Sequence, residues 1–203
     1  MLLLIGLSGK AESGKDTFAK YAKDVVRSCA KYWNLNIGIC ERYALADALK
    51  EEAVQMYGWD GKKDEKGRTL LQELGQKRRV EDPDYWIKKM AMNISNGLDG
   101  RAVFDAFPLH GVIFITDMRF KNEKNFLSNI EFGNKNFGDT KFISIRIERE
   151  GYENNLTEEQ RGNISECDLD DEIFDYVVEN NGEIGFFIEG IETTMLSVLG
   201  ELR

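Results

Sequence analysis

The sequence has few of the residues that build disulfide frameworks, zinc sites or catalytic triads, since its 203 residues include three cysteines and one histidine. Cys29, Cys40 and Cys167 are widely spaced and form no C-x-x-C pair, so we expect free thiols in a reducing, cytoplasmic compartment. So few Cys and His side chains argue against a zinc site. A Ser-His-Asp triad would have to use His110.

The chain also lacks a long hydrophobic run and an excess of positive charge. No apolar stretch approaches the roughly 18 residues of a membrane-spanning helix, so we expect no membrane partner. The apolar residues 1–5 follow no basic segment and end at Gly6, which indicates a buried strand rather than a signal peptide. The formal net charge of −9 disfavours stable nucleic-acid binding, which depends on clustered cations. It permits a small phosphorylated ligand, which needs only a local positive pocket.

What the chain does contain is typical of one globular domain. Hydrophobic residues make up 42% and charged residues 31% of the sequence, which argues against wholesale disorder. Short apolar runs alternate with segments of helical periodicity. The predicted strands are residues 2–5, 37–43, 112–115, 142–147 and 176–178. This alternation predicts an α/β fold with a mainly parallel, five-stranded sheet flanked by helices, whose ligands bind beyond the carboxyl ends of the strands.

Two polar stretches interrupt the alternation. Residues 59–67 carry glycine and charge, which indicates an exposed loop. Residues 148–171 are charged and show little periodicity. A segment of that length inside a compact domain is typical of a functional lid or of a disordered segment.

The strongest motif lies between the first predicted strand and the first predicted helix. Residues 9–15, GKAESGK, fit the pattern G-x-x-x-x-G-K of a phosphate-binding loop, or P-loop. Backbone N–H groups of such a loop converge on phosphate oxygens, and the helix N-terminus adds its dipole. Lys15 would reach the β- and γ-phosphates. The alternative is a glycine-rich turn with an incidental lysine.

The motif departs from the common pattern at Asp16. That position usually carries the Ser or Thr that binds Mg²⁺ directly, and here the hydroxyl comes one residue later, at Thr17. Asp16 would hold Mg²⁺ through water or start the helix.

This displaced hydroxyl resembles the small-molecule and nucleoside monophosphate kinase branch of the P-loop proteins. Further segments resemble the deoxynucleoside monophosphate kinases of bacteriophages, and they occur in the order of that family over nearly the whole chain. These segments are Ala44-Leu-Ala-Asp47-Ala-Leu-Lys50-Glu51, Arg68-Thr-Leu-Leu-Gln72-Glu-Leu-Gly75, Asp84-Tyr-Trp86-Ile-Lys88, Thr116-Asp117-Met-Arg119-Phe-Lys-Asn122-Glu123, Ile164-Ser165-Glu166 and Asp175-Tyr-Val-Val-Glu-Asn180-Asn181-Gly182. Each segment alone is weak, and their shared order together with the P-loop is specific.

The resemblance implies a three-layer P-loop NTPase fold in a single domain, residues 1–203. It implies an acceptor-binding helical segment at about 46–98 and a lid-like segment at about 148–171. The implied activity is ATP-dependent phosphoryl transfer to deoxynucleoside monophosphates with Mg²⁺, giving dNDP and ADP for DNA precursor synthesis. If the protein is viral, it would act in the cytoplasm of the host cell. Its partners would be the nucleotide substrates, and the sequence leaves open whether it forms a homodimer.

The resemblance also implies which residues bind the donor. ATP would contact Gly9, Ser13, Gly14, Lys15, Asp16 and Thr17, with Asn181 bordering the adenine. Asp16 or Asp117 would hold Mg²⁺ through water. The family often has a basic residue where this chain has Ala11 and Glu12, so other groups must offset charge there.

The resemblance implies eight residues that bind the acceptor. Two of them, Arg68 and Arg119, would be catalytic, together with Lys15 of the P-loop. The implied acceptor residues are Asp47, Lys50, Arg68, Gly75, Trp86, Asp117, Arg119 and Glu123. Arg68 would grip the acceptor phosphate, since a guanidinium fork matches paired phosphate oxygens, or it would be solvated. Gly75 would let a ligand approach closely or would cap a helix. Trp86 would stack on the acceptor base or belong to the core.

The remaining acceptor residues have equally plain alternatives. Asp117 would hold water-bound Mg²⁺ or form a hydrogen bond to the acceptor sugar or base. Arg119 would contact the base or the phosphate. The alternative for both residues is a salt bridge at the end of a strand. Glu123 would orient Arg119 as a helix neighbour. Asp47 would face the crevice or cap a helix, and Lys50 would face the crevice or be solvated. The lid arginine would be one of three candidates, which are Arg146, Arg149 and Arg161.

Other activities remain open. The nearest are other kinases of the same branch, such as dephospho-coenzyme A or phosphomevalonate kinase. A nucleotide-dependent switch is a different class, and the absence of an N-K-x-D motif weakens its GTPase version. A degenerate kinase kept as a structural partner would rest on Ala11, Glu12 and Asp16.

Overall fold

The computed structural model describes residues 1–62, 64–99, 109–132, 137–152 and 158–203. Within these residues the chain forms one parallel sheet in the order β2-β3-β1-β4-β5. Its strands are β1 (Leu2–Ser8), β2 (Ile37–Tyr43), β3 (His110–Ile115), β4 (Thr140–Glu148) and β5 (Tyr176–Glu179). The predicted α/β fold with a five-stranded sheet is confirmed.

Helices connect the strands and cover both faces of the sheet. They are α1 (Lys15–Tyr32), α2 (Leu45–Tyr57), α3 (Glu65–Glu81), α4 (Tyr85–Asp99), α5 (Lys121–Asn129), α6 (Glu158–Arg161), α7 (Ile164–Cys167) and α8 (Ile184–Gly200). Three helices, α2 to α4, follow one another between β2 and β3. They occupy the segment for which the family resemblance implies acceptor binding, and that role stays a prediction.

Strand β1 is the central strand because its sequence is apolar on both faces. All seven of its residues are buried, and it pairs with β3 and β4, so that Leu4 lies opposite Ile113 on one side and Phe142 on the other. A parallel strand covered by helices on both faces needs such a continuous apolar run. The phosphate-binding motif therefore starts at the carboxyl end of the middle strand.

The side chains of β1 divide the interior into two cores. Leu3, Ile5 and Leu7 pack with α1 and α8 on one face, while Leu2 and Leu4 pack with the α2–α4 layer on the other. The sheet is thus the middle of three layers, as the resemblance implies.

Helix α3 begins earlier than the sequence pattern predicts. The polar stretch 59–67 was expected to be an exposed loop, yet Glu65 already starts the helix. The reason is a cap, since the Asp64 side chain accepts a hydrogen bond from the Gly67 backbone N–H at 2.8 Å. The predicted lid-like segment likewise contains helical turns, α6 and α7. Residues 153–157 of that segment lie outside the described residues.

A buried carboxylate joins the three helices of the α2–α4 layer. Glu52 of α2 is 3% exposed, and it accepts hydrogen bonds from Arg78 Nε at 2.8 Å, Tyr85 Oη at 2.6 Å and Lys89 Nζ at 2.7 Å. Burial acts to raise the pKa of Glu52, but the hydrogen bonds from Lys89, Tyr85 and Arg78 prevail and lower it to about 2. The carboxylate is therefore charged at neutral pH and holds α3 and α4 against α2.

No helix in the described part of the chain has both the length and the apolar character needed to cross a membrane.

Replacing Glu52 tests how much this cluster stabilises the fold. We expect Glu52→Ala to lower the free energy of unfolding by about 1.5–3 kcal/mol, because it removes the charged hydrogen bonds that join α2 to α3 and α4. Denaturant unfolding followed by circular dichroism measures it. Glu73→Ala, at an exposed position of α3, is the matched control and should change stability by less than about 0.5 kcal/mol. Equal effects of the two substitutions would contradict the assigned role.

Candidate functional site

The P-loop motif forms a tight turn between β1 and α1, and two of its glycines are required by the backbone. Gly9 and Gly14 have φ angles of 146° and 108°. A Cβ atom at Gly9 would lie 2.4 Å from the carbonyl oxygen of Ile147, and one at Gly14 would lie 2.7 Å from Nδ2 of Asn180. These two glycines therefore let the loop fold closely against the ends of β4 and β5.

Lys15, the first residue of α1, folds back over the loop. Its Nζ donates hydrogen bonds to the carbonyl oxygens of Gly9 and Lys10, both at 2.7 Å. Burial and the nearby positive charge of Arg119 lower the pKa of Lys15 to about 8, although Glu166, Asp16 and Asp117 oppose this. The ammonium group therefore stays mostly charged at pH 7 in a partly desolvated position, where its charge acts strongly on an anion.

An open cleft of about 470 Å³ lies beside the loop. One wall is formed by the start of α1, including Lys15, Asp16 and Thr17, and the other contains Arg149 and Gly182. This volume lies within the ordinary range for small-molecule and cofactor sites. The predicted donor residues Gly14, Lys15, Asp16 and Thr17 are thus brought together.

The two asparagines after β5 play different parts. Asn180 lines the cleft, and its Nδ2 donates to the backbone oxygen of Ser13 at 2.9 Å, which fixes the back of the loop. Asn181 instead accepts a hydrogen bond from the backbone N–H of Glu150 at 2.7 Å. The structure therefore places Asn180 and Gly182 at the cleft and Asn181 against the segment after β4.

Arg149 covers the outer side of the P-loop. Its guanidinium group donates to the backbone oxygen of Glu12 at 3.1 Å and lies 3.7 Å from the ring centre of Tyr152. Tyr152 Oη in turn donates to the Glu12 carboxylate at 3.3 Å. Arg149 is therefore the one of the three candidate lid arginines that lines the cleft.

The other two candidates lie elsewhere. Arg146 of β4 pairs with Asp170 at 2.7 Å and its side chain is only 12% exposed, so it fastens the segment after α7 to the sheet. Arg161 is exposed at the end of α6.

A chain of charges joins α1 to α2 along the rim of the site. Arg42, at the end of β2, contacts Asp16 at 3.4 Å and Asp47 at 3.0 Å, and Lys50 contacts Asp47 at 3.0 Å. Although burial opposes it, hydrogen bonds and charge from Lys50 and Arg42 lower the pKa of Asp47. The sequence does not single out Arg42, because an arginine in an alternating strand gives no indication of which acidic side chains it will contact.

Asp117 holds the start of α2. It follows β3, and its two carboxylate oxygens accept hydrogen bonds from the backbone N–H groups of Leu45 at 2.8 Å and Ala46 at 2.9 Å. Burial raises the pKa of Asp117, and these two hydrogen bonds act in the opposite direction. The carboxylate thus caps a helix whose own N-cap residue, Ala44, has no side chain suited to the task.

Arg119, two residues beyond Asp117, reaches the P-loop through a carboxylate. Its guanidinium group pairs with one oxygen of Glu166, and the other oxygen accepts a hydrogen bond from the backbone N–H of Ala11 at 2.8 Å. Glu166 lies in α7. In the sequence, Glu166 is marked only by the Ile164-Ser165-Glu166 segment of the family resemblance, and that resemblance implies no role for its side chain.

Glu123 positions the backbone of this arginine rather than its side chain. Its Oε2 accepts hydrogen bonds from the N–H groups of Arg119 at 2.8 Å and Phe120 at 3.1 Å, which forms the cap of α5. Arg79 lies 3.6 Å from Oε1. Burial raises the pKa of Glu123 to about 7, with the Asp117 charge adding to it and the N–H bonds and Arg79 opposing it.

Three predicted acceptor residues stand apart from this group. Arg68, in the first turn of α3, is exposed and has no side-chain hydrogen bond or ion pair to another described residue. Gly75 lies in the middle of α3, which excludes the helix-cap alternative. Trp86 is 2% exposed, and its Nε1 donates to the Gly75 oxygen at 3.1 Å. Stacking on a base would require α3 and α4 to separate.

No cluster of three or more His, Cys, Asp or Glu side chains among the described residues is arranged to hold a metal ion. Mg²⁺ at a phosphate site often needs only one or two carboxylates, with the substrate phosphates completing its shell. Of the two acids predicted for that role, Asp16 lines the cleft, whereas both oxygens of Asp117 are engaged by α2.

Comparisons with known proteins find likenesses among solved structures only at a distance. No family model matches the sequence, and no curated protein matches it. Among solved structures, the chain is similar to a gluconokinase from Sinorhizobium meliloti 1021, with 10% sequence identity and a TM-score of 0.43 over 98% of this chain and 94% of that chain. A likeness of this degree assigns neither an activity nor a substrate to this chain.

The raised pKa of Glu123 predicts a pH dependence of stability. The folded protein keeps this proton up to about pH 7, whereas an unfolded glutamate loses it near pH 4.5. Between these values the folded state binds more protons, so stability falls as pH rises, by up to about 1.4 kcal/mol per pH unit.

Denaturant unfolding of the wild type and Glu123→Gln between pH 5 and pH 8 tests this. The glutamine keeps one oxygen acceptor for the α5 cap and removes the titration. We expect the decline to be shallower in the variant. His110 titrates in both proteins and cancels in the difference between the two profiles, which therefore reports the titration of Glu123 and its coupling to Asp117. Parallel profiles would mean that Glu123 is charged throughout this range.

Proposed function

We propose that the protein is an ATP-dependent kinase that transfers a phosphoryl group to deoxynucleoside monophosphates, giving dNDP and ADP. The observation that carries the kinase assignment is the P-loop itself. The loop follows the central strand, Lys15 lies over it, and its Ala11 N–H binds an oxyanion, the carboxylate of Glu166. A loop N–H that binds a carboxylate is a donor of the kind that phosphate oxygens require.

The residues present fit a nucleoside triphosphate. The P-loop and the start of α1 supply backbone N–H groups and a helix dipole for the phosphates, and Lys15 supplies a positive charge. The cleft between α1 and the end of β5 would receive the nucleoside, with Arg149 and Phe187 offering surfaces for the base. Asp16 and Thr17 would hold Mg²⁺, which supplies charge neutralisation on the phosphates when bound.

The arrangement supports catalysis by position and charge. Lys15 donates to the carbonyl oxygens of the loop, and Arg119 pairs with the carboxylate that the Ala11 N–H binds, so both positive groups lie beside the P-loop. Two fixed positive groups in a partly buried site stabilise the charge that develops on a transferring phosphoryl group. An acceptor phosphate oxygen is already an anion, so the chain needs no strong general base for this transfer.

Support for a deoxynucleoside monophosphate as the acceptor comes from the ordered segments of the family resemblance. Lys50 and Arg119 belong to two of them; Lys50 lies in α2, which follows the edge strand β2, and Arg119 lies four residues after the end of β3. Arg68 is exposed on α3, where it is free to meet a ligand phosphate. The P-loop contacts would serve other small-molecule kinases equally well, so dephospho-coenzyme A and phosphomevalonate kinases are the alternatives.

Release of ADP from Mg-ATP in the presence of single acceptors tests the proposal. The panel contains dGMP, dTMP, dCMP, dAMP, the ribonucleoside monophosphates, dephospho-coenzyme A and phosphomevalonate, with an ATP-only control. We expect ADP release above the control rate with one or more deoxynucleotides. Lys15→Ala should lower that rate at least about a hundredfold, while Lys20→Ala, an exposed lysine of α1, should not.

The outcomes separate the parts of the assignment. Turnover with dephospho-coenzyme A or phosphomevalonate alone would retain the kinase and replace its acceptor. ADP release at the control rate with every acceptor would contradict the kinase assignment. Near-normal turnover in a folded Lys15→Ala protein would contradict the role of the loop.

The role of Arg68 has a separate test. We expect Arg68→Ala to raise KM for the monophosphate by roughly 10- to 100-fold, the range of a charged hydrogen bond, and to leave KM for ATP within about twofold. Lys66→Ala removes an exposed positive charge from the same turn and is the matched control. Steady-state kinetics with each substrate varied in turn measures both constants. An effect on ATP alone would show that Arg68 does not bind the acceptor.

A further inference from the structure

The carboxylate of Glu166 is buried against the P-loop although it belongs to a different part of the chain. Its side chain is only 7% exposed, and 155 positions separate it from Ala11, whose backbone N–H it accepts. Taking a charged carboxylate out of water is costly unless hydrogen bonds and opposite charge compensate. Its partners must therefore provide that compensation.

Those partners are groups to which the proposed function assigns phosphate binding. One oxygen of Glu166 accepts from the loop N–H of Ala11, and the other pairs with the guanidinium group of Arg119. Lys15 is close enough for the charge of Glu166 to act on it. A backbone N–H and a guanidinium group, with an ammonium group nearby, are what a subsite for an oxyanion requires, and the carboxylate of Glu166 accepts from the first two.

The neighbouring residues hold Glu166 in this place. Residues 163–172, here called the acidic segment, include α7 and the turn that follows it. Lys10 donates to the backbone oxygen of Glu166 at 2.5 Å and pairs with Asp170. Asp170 also pairs with Arg146 at 2.7 Å. The acidic segment is thus attached to the P-loop and to β4 at several points, so the contact of Glu166 is built into the fold.

We propose that Glu166 is an internal competitor for a phosphate group, and that a phosphate entering the P-loop displaces its carboxylate and loosens the acidic segment from the loop. This inference rests on the proposed function in that a phosphate is the ligand. Two anions repel strongly within one partly buried subsite. The loss of the Glu166 contacts is therefore part of the cost of binding phosphate.

Binding of inorganic pyrophosphate tests the competition, because this probe carries phosphate without a base or a sugar. Isothermal titration calorimetry in one Mg²⁺-containing buffer would compare the wild type, Glu166→Gln and Glu166→Ala. We expect both variants to bind pyrophosphate about tenfold more tightly, the factor that corresponds to 1.4 kcal/mol of removed competition. Asp171→Asn is the matched control, since it removes one negative charge from an exposed position of the same segment. Its affinity should stay within about twofold of the wild type.

Three results would overturn the proposal. Equal or weaker binding by Glu166→Gln and Glu166→Ala would show that Glu166 supports the subsite by holding Arg119 or the loop. Equal tightening in Asp171→Asn would show a general effect of net charge. Undetectable binding in all four folded proteins would contradict the P-loop assignment itself.

A second measurement follows the displacement directly. Amide hydrogen exchange of the acidic segment should speed up when saturating pyrophosphate is added to the wild type, because the anchoring carboxylate is released. Glu166→Gln has already lost that ion pair. Pyrophosphate should therefore raise the exchange rate of the acidic segment by less in this variant than in the wild type. Slower exchange on binding in the wild type would overturn the proposal.

The proposal and the kinase assignment fail separately. Tighter pyrophosphate binding by Glu166→Gln, together with the absence of transfer to every acceptor, would keep the competitor and refute the kinase. Acceptor-dependent ADP release by the wild type, with unchanged pyrophosphate affinity in the variants, would keep the kinase and refute the competition by Glu166.

Discussion

The burial of β1 along its whole length is the constraint on which the site depends. Seven consecutive buried residues place this strand at the middle of the sheet, between β3 and β4. The loop that leaves it must turn at once, because the ends of β4 and β5 leave room only for glycine at positions 9 and 14. The backbone N–H groups of the loop and the start of α1 therefore meet at the carboxyl edge, where the polar residues that follow the neighbouring strands also arrive.

Charge balance at this edge is local rather than global. The chain as a whole is acidic, with a formal net charge of −9, yet Lys15, Arg119 and Arg149 gather around one loop. Acids hold the bases in place, with Glu166 on Arg119, and Asp16 and Asp47 on Arg42. Arg42, held by two acids, keeps its side chain ordered before a ligand arrives, which lowers the entropy that binding must overcome.

Sequence periodicity was enough to predict the sheet and the P-loop, because both depend on local patterns. Apolar runs give the strands, and G-x-x-x-x-G-K followed by helical spacing gives the loop and α1. The partners of the side chains depend on the tertiary fold. The contact of Glu166 spans 155 positions, and no local pattern shows whether Trp86 faces a ligand or, as observed, lies in the core. Asp117 was placed at the right strand end, but only the fold shows that both its oxygens bind α2.

Asp117 also connects the helical layer α2–α4 to the edge of the sheet where the P-loop lies. Its two hydrogen bonds tie the first turn of α2 to the end of β3, while the cluster around Glu52 ties α3 and α4 to α2. The three helices are therefore attached to the end of β3 through the carboxylate of Asp117. Arg119 lies only two residues from Asp117, so one short stretch of backbone carries both the attachment of the helical layer and the guanidinium group beside the P-loop.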